Sequence, residues 1–362
     1  MTRVVASAPG KINLALLVGE VDETGYHPLS SVFEGISLRE YVEVEELGGI
    51  GGATSEAPVD TAPTPQTDAA LSQQIEVRTR VYSVGQGSRE PRFDPVATRA
   101  FAQFDGPGHL AFRAAQLLAN PGAVLRITVH KTLPVAGGMA GGSADAAATL
   151  MAMNALVSDP VPQGDLERLG RTLGADVPAC LVGGIALGLG RGDHMEQLGP
   201  GTSSPSAQSR WWVAVFSDEG LSTPAVFNHF DAAARAERAS GGTAESDAGR
   251  SIDPRLRRSL LAPGTEVASA LVNDLQSAAF SLRPDLAVTA RVLDDLGVAW
   301  MMSGSGPTLV ALVNSEEPAQ DVAARLESLP RVSGTAVMWG PTEGARLEGA
   351  LPKWCASNPT WP

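Results

Sequence analysis

The sequence lacks any run of eighteen apolar residues, so no segment reads as a membrane span. Its only two cysteines, Cys180 and Cys355, have no metal-ligand spacing and make no disulfide framework. The opening stretch MTRVVASAPGKINLALL cannot serve as a signal peptide, because Pro9, Gly10, Lys11 and Asn13 interrupt its apolar run. These absences predict a cytoplasmic protein. Positive charge is also short. Against 40 acidic residues stand 27 basic ones, a formal net charge of −13, which argues against nucleic-acid or anionic-membrane partners. There is no GxxxxGK[ST] loop and no HRD or DFG set. Lysine is scarce: Lys11, Lys131 and Lys353 are the only three. A lysine kept where arginine is the default reads as a site needing a compact point charge, with chance as the alternative.

With 362 residues, 43% hydrophobic and 19% charged, the chain is an ordinary globular composition for two domains, or one large domain with insertions. Residues 4–18 read as a strand with a break at APGK, and 41–47 as a second strand. From 48 to 108 the text is mostly loop-like, apart from a strand at 75–84, and 48–74 has too little apolar content to order itself. Residues 48–108 therefore read as a surface insertion. HLAFRAAQLLA is an amphipathic helix, and LRITVHKTLPV is a strand leading into a glycine loop. GDLERLGRTLG is a helix with Asp165 as its cap signal and Gly174 at its end. GGIALGLGRGD reads as a strand or hairpin turn, and WWVAVFSD as a buried strand. A second insertion is expected at 237–251. Two helices follow, then strand, glycine turn and strand at AWMMSGSGPTLVALV, then a helix, a last strand and a loose tail from 346. This order, without a regular βαβ repeat, predicts an α+β protein of two lobes, divided near 190/191.

The stretch PVAGGMAGGSADAAATL sets a loop with almost no side chains before an alanine-rich helix. Bare N–H groups and the positive end of a helix dipole make an anion site, with phosphate as the obvious guest; a hinge or close helix contact also uses small residues.

Four further stretches accompany it: APGKINLAL, GYHPLSSVF, LGADVPACL and SGSGPTLVAL. In this order and at these separations, the five resemble the GHMP kinase superfamily, and within it the branch acting on a cytidine nucleotide. The resemblance covers about 250 residues: 4–47, 109–235 and 266–340. It implies a two-lobed fold, with a first lobe like the second domain of ribosomal protein S5 and an α+β second lobe. It also implies ATP and Mg²⁺, and a small-molecule acceptor, a cytidine diphosphate-linked methylerythritol phosphorylated on its 2-hydroxyl for isoprenoid synthesis. Rival readings are a homoserine- or mevalonate-type kinase and a non-catalytic nucleotide-binding regulator.

The resemblance assigns residues. The ATP loop comprises Pro134, Val135, Ala136, Gly137, Gly138, Met139, Ala140, Gly141, Gly142, Ser143 and Ala144, with Met139 and Ala140 where the family usually has Leu and Gly. Ser143 could meet Mg²⁺ or a phosphate oxygen, or cap the helix. Lys131 would meet the nucleotide; a solvated strand-end lysine is the plain alternative. His109 stands where the family often has Asn at the adenine-side helix start. Asp176 matches the base that accepts or orients the hydroxyl proton, and Lys11 its paired cation. Asp176 follows a helix and shortly precedes Pro178, which predicts a stiff, extended backbone; a structural salt bridge or helix cap is the alternative. Tyr26 and His27 match a pair that holds cytosine by stacking and hydrogen bonding. Phe227 would close the other face, or belong to the core. Asn13 and Thr223 are polar contacts. Gly304, Ser305 and Gly306 offer bare N–H groups, or simply a tight turn.

Overall fold

The structure is a computed structural model that describes residues 2–23, 25–48, 74–85, 88–120, 122–239 and 252–356. The low-apolar stretches 49–73 and 240–251, within the expected insertions, lie outside the described residues.

The first half of the chain contributes β1 (Arg3–Val18), β2 (Leu29–Gly48), β3 (Ile75–Gly85), β4 (Ser88–Phe93), α1 (Pro95–Phe101), α2 (Leu110–Gln116) and β5 (Val124–Lys131). Then come α3 (Gly141–Asn154), α4 (Gln163–Leu173), α5 (Val177–Val182), β6 (Ile185–Leu189) and β7 (His194–Gly199). The second half holds β8 (Arg210–Ser217), α6 (Thr223–Ala239), α7 (Pro254–Leu260), β9 (Val272–Asn273), α8 (Gln276–Leu282) and α9 (Leu286–Asp295). The chain continues through β10 (Ala299–Met302), β11 (Leu309–Val313), α10 (Glu316–Leu326), β12 (Val332–Gly340), β13 (Arg346–Glu348) and α11 (Lys353–Ala356).

Among the described residues the strands form two sheets. One runs β13-β1-β2-β5-β3-β4, with β6 and β9 joined to β2 and β1 and β7 joined to β6; the other runs β10-β11-β8-β12. The two-lobed α+β architecture follows, but with different edges from those expected. β6 and β7 belong to the first sheet, so that lobe runs to Gly199 before β9 and β13 return to it. The tail is not loose from 346: β13 pairs with β1, and Trp354 packs edge-on against Tyr41 and Tyr82.

The loop-like reading of 85–108 is also corrected. β3 lies parallel to β5 inside the sheet, Tyr82 packs against Phe93 on β4, and Asp94 caps α1 by accepting from the N–H groups of Val96 and Ala97. These short polar elements are stable through their neighbours, not through their own pattern.

Nor is β1 broken at APGK. It runs unbroken, with register shifts between Pro9 and Lys11 and between Asn13 and Ala15. Bulges re-aim the side chains they flank, here Lys11 and Asn13. Helix α3 is buried nearly all round, which suits a helix of small apolar residues set between a sheet and other helices. In α4 the cap position is Pro162, and Asp165 instead lies in the first turn, paired with Arg168.

Candidate active site

The glycine loop runs from β5 into α3. Its last residue, Ala140, sits at the helix N-cap with φ 61° and ψ 33°. The left-handed region costs an L-residue about 1–2 kcal/mol, so the alanine that replaces a glycine here is strained. The N–H groups of Gly141, Gly142 and Ser143 open the helix and have no intrahelical acceptor. Ser143 does not cap the helix; it lies inside the first turn.

Gly138 is the meeting point of the two lobes. Its carbonyl accepts from Lys11 Nζ at 3.3 Å and from Ser303 Oγ at 3.0 Å. Its own φ is +77°, and a Cβ there would stand 2.2 Å from the Ser303 carbonyl, so only glycine fits. The turn 303–306 thus lies against the glycine loop. Asn273, on β9, fixes that turn by donating to the carbonyls of Met302 and Gly304 at 2.7 and 2.8 Å.

Lys11 is buried. Besides Gly138 it donates to Asn13 Oδ1 at 2.9 Å, lies 5.4 Å from the Phe33 ring centroid, and approaches Asp176 Oδ2 at 3.7 Å. Asn13 in turn donates to Ser31 at 2.7 Å. Asp176 is 37% exposed at its side chain and makes no capping hydrogen bond to α5, so the helix-cap alternative fails. Its backbone is helical, φ −86° and ψ −10°, not extended, because Pro178 falls at the second helical position rather than next to Asp176. A half-open carboxylate held beside a buried ammonium is an arrangement for handling a hydroxyl proton.

A cavity of about 710 Å³ opens beside the loop. Residues 134–138 and 140–142 form one wall; Phe101, Phe104, Asp105 and His109 form the other, while Met139 turns into the core. Of that second wall only His109 was singled out in the sequence; Phe101, Phe104 and Asp105 were missed, because FAQFDGPG reads as loop. His109 caps α2: its Nδ1 accepts from the Ala111 N–H at 3.0 Å. The remaining proton sits on Nε2, 3.4 Å from Thr79 Oγ1, whose own hydroxyl donates to Asp105. Burial lowers the His109 pKa, consistent with this neutral ring.

Lys131 lines the same cavity but is not solvated. Its Nζ donates to Glu40 at 3.0 Å and to Asp145 at 2.7 Å, all three buried. Burial pulls Lys131 down, yet Asp145 and Glu40 more than offset this and hold it above its ordinary value. Burial pushes Glu40 up to about 8 although it also accepts from the N–H groups of Thr132 and Leu133. Neither carboxylate was foreseen. A single acid within the alanine run ADAAA was the available signal for Asp145.

His27 and Phe227 come together, with ring centroids 5.3 Å apart. Tyr26 is half exposed, with the Arg191 guanidinium 4.1 Å over its ring. Phe227 is partly buried against the second core, so the core alternative holds in part. Thr223 and Ser305 share a hydrogen bond of 2.7 Å.

Comparison with known proteins gives matches along most of the chain. Residues 109–184 fit the GHMP kinases N terminal domain and 256–331 the GHMP kinases C terminal domain. The chain is 36% identical over 349 residues to 4-diphosphocytidyl-2-C-methyl-D-erythritol kinase of Cutibacterium acnes, covering 95% of this chain and 96% of that one. It is 36% identical to the protein of that name from Mycolicibacterium smegmatis, over 95% of this chain and 92% of the other. The chain belongs to the 4-diphosphocytidyl-2-C-methyl-D-erythritol kinase family. A crystal structure of 4-(cytidine 5'-diphospho)-2C-methyl-D-erythritol kinase shares the fold, with a TM-score of 0.57 at 24% identity, covering 96% of this chain and all of that one. Membership makes this GHMP protein an ATP-dependent small-molecule kinase. Among the described residues no helix is long and apolar enough to cross a membrane.

Proposed function

We propose that this chain transfers the γ-phosphoryl group of ATP to the 2-hydroxyl of 4-diphosphocytidyl-2-C-methyl-D-erythritol, a step in isoprenoid precursor synthesis. The observation that carries the reading is the Lys11–Asp176 pair, 3.7 Å apart, with Lys11 also bonded to the Gly138 carbonyl of the glycine loop. A proton acceptor and a cation at the edge of a phosphate cradle are what this transfer needs. The triphosphate lies on the loop and the first turn of α3, with adenine toward Phe101, Phe104 and His109. Asp176 takes the proton as the hydroxyl oxygen bonds to the γ-phosphorus. The bond to the β-phosphate bridging oxygen breaks, and ADP carries that electron pair away. Lys11 faces the charge on the transferring group. The gain comes from positioning and electrostatics.

Among the described residues no cluster of three or more His, Cys, Asp or Glu could hold a metal. However, Asp145 Oδ1 is buried without a partner, and the Ser143 hydroxyl lies two residues before it in the first turn of α3. Either oxygen suits Mg²⁺, which binds through few protein ligands together with substrate phosphates, although two residues apart on a helix they do not face each other. Bound there, it would neutralise phosphate charge.

The base site draws on Tyr26, His27 and Phe227. No partner for the main-chain N–H and C=O of His27 is found among the described residues. A donor beside an acceptor suits the acceptor N3 and donor N4 of cytosine. The test is direct: purified protein, ATP, Mg²⁺ and the cytidyl substrate should give ADP and the 2-phosphorylated product in equal amounts. Turnover on homoserine or mevalonate instead would overturn the reading.

A further inference from the structure

Both ring nitrogens of His27 face oxygens that only accept. Nδ1 lies 2.8 Å from the Gly19 carbonyl, and Nε2 lies 3.1 Å from Asp231 Oδ1. A neutral imidazole has one N–H and can serve one of the two; both contacts are made together only by a ring carrying two protons. In either state no ring nitrogen is left over for a ligand. The rest of the ring is gripped by α6, the helix that carries Asp231. Phe227, one turn earlier, packs at 5.3 Å, and Phe230 meets the ring edge-on at 6.1 Å. The His27 side chain is therefore a peg, fixed by the Gly19 carbonyl on the first lobe and by α6 on the second.

We propose that Asp231 is a positioning residue for the substrate base. It fixes the His27 ring against Phe227, and through the ring it fixes the main chain of residue 27 and the width of the base slot. This rests on the base site proposed above. A carboxylate on α6 is then coupled to affinity for the cytidyl group without touching it. The same contact joins the β1–β2 connection to the second lobe, so the slot has its set shape only when the two lobes are pinned together at this point.

The experiment compares wild type, Asp231→Ala and Asp231→Asn. KM and kcat are measured for the cytidyl substrate, its uridine analogue and ATP, together with melting temperature. Asp231→Ala should raise KM for the cytidyl substrate about tenfold, with kcat and KM for ATP changed less than twofold. Uracil reverses the donor and acceptor at positions 3 and 4, so a loosened residue 27 should also narrow the cytidine-over-uridine preference. Asp231→Asn keeps an acceptor for Nε2–H and should return KM to within about threefold of wild type. It also serves if the alanine variant fails to fold: an asparagine variant with wild-type melting but alanine-like loss of base preference would overturn the hydrogen-bond role. An unchanged KM for the cytidyl substrate in Asp231→Ala, whatever its melting temperature, would overturn the proposal, as would equal losses for substrate and ATP. A wild-type enzyme indifferent to the base would instead overturn the base site itself.

Discussion

Lys11 and Asp176 differ in burial, 5% against 37% side-chain exposure, and this sets what each substitution should do. Asp176→Asn keeps the shape and removes the proposed proton acceptor. With a partly exposed side chain and a 3.7 Å pair, little stability is at stake. Turnover should fall on the order of a hundredfold or more while melting stays near wild type. Full activity in the folded variant would leave the mechanism to positioning alone. His130 gives a pH prediction. Tyr82 OH and the His130 Nδ1 share a hydrogen bond of 3.0 Å, and the buried His130 Nε2 has no partner among the described residues. Burial, and then the nearby Arg80 and Arg3 charges, push its pKa down to about 3. The unfolded chain takes up a proton near pH 6.5 and the folded one does not. Stability is therefore complete above about 6.5 and falls as pH drops toward 3, by about 2 kcal/mol at pH 5. Urea unfolding of wild type and His130→Leu between pH 7.5 and 5 checks this. The variant should lose the corresponding part of the pH slope, and parallel curves would exclude His130 as its source.

The glycine loop and α3 act as a unit, and their two terminal glycines are not equivalent. A Cβ at Gly142 would meet only Leu110 Cδ1, at 3.5 Å, whereas one at Gly141 would crowd Glu40 Oε1 at 3.2 Å and Lys131 Nζ at 3.3 Å. Gly142→Val should therefore fold, since valine is a better helix former than glycine and meets little there, and raise KM for ATP at least tenfold by blocking phosphate approach. Unchanged ATP affinity would show that phosphates lie elsewhere. The loop was legible because its chemistry needs a run of residues without side chains, and that run is contiguous. APGKIN, LGADVP and SGSGPT were legible through their resemblance to the GHMP kinases, each being a short contiguous motif. The second cavity wall was not, apart from His109. β3 alternates weakly, and its place is set by β5, 50 residues away at Ile75 and Leu125. Glu40, Asn273 and Asp231 carry no local pattern at all. Each matters only through a partner brought in by the fold: Lys131, the 302–304 turn and His27.

Between the lobes the contacts are polar as well as apolar, and one of them is a buried ion pair. Glu34 on β2 of the first sheet accepts from Arg210 and, at 2.9 Å, from Trp212 Nε1, both on β8 of the second. Arg210 also donates to the carbonyls of Leu260 and Ala262 at 2.8 and 2.7 Å. Burial pushes the Glu34 pKa up, and Arg210 and Trp212 draw it back only in part. Such a pair is weak support for stability as a whole, yet removing one member leaves the other charged, buried and unpaired. Glu34→Ala should cost about 3–5 kcal/mol, a large share of the roughly 5–15 kcal/mol that holds a folded protein together. The double variant Glu34→Leu, Arg210→Met removes both charges and should cost much less than the sum of the two single changes, because no stranded ion remains. Turnover per folded molecule should survive in both, since neither residue touches the glycine loop or the Lys11–Asp176 pair. Denaturant unfolding of the four proteins in the cycle, with turnover on the same samples, separates these outcomes. Additive losses would mean the pair is not coupled. A fall in turnover that tracks the fall in stability would mean that the seam between the sheets also sets the geometry at Gly138, where the lobes meet over the glycine loop.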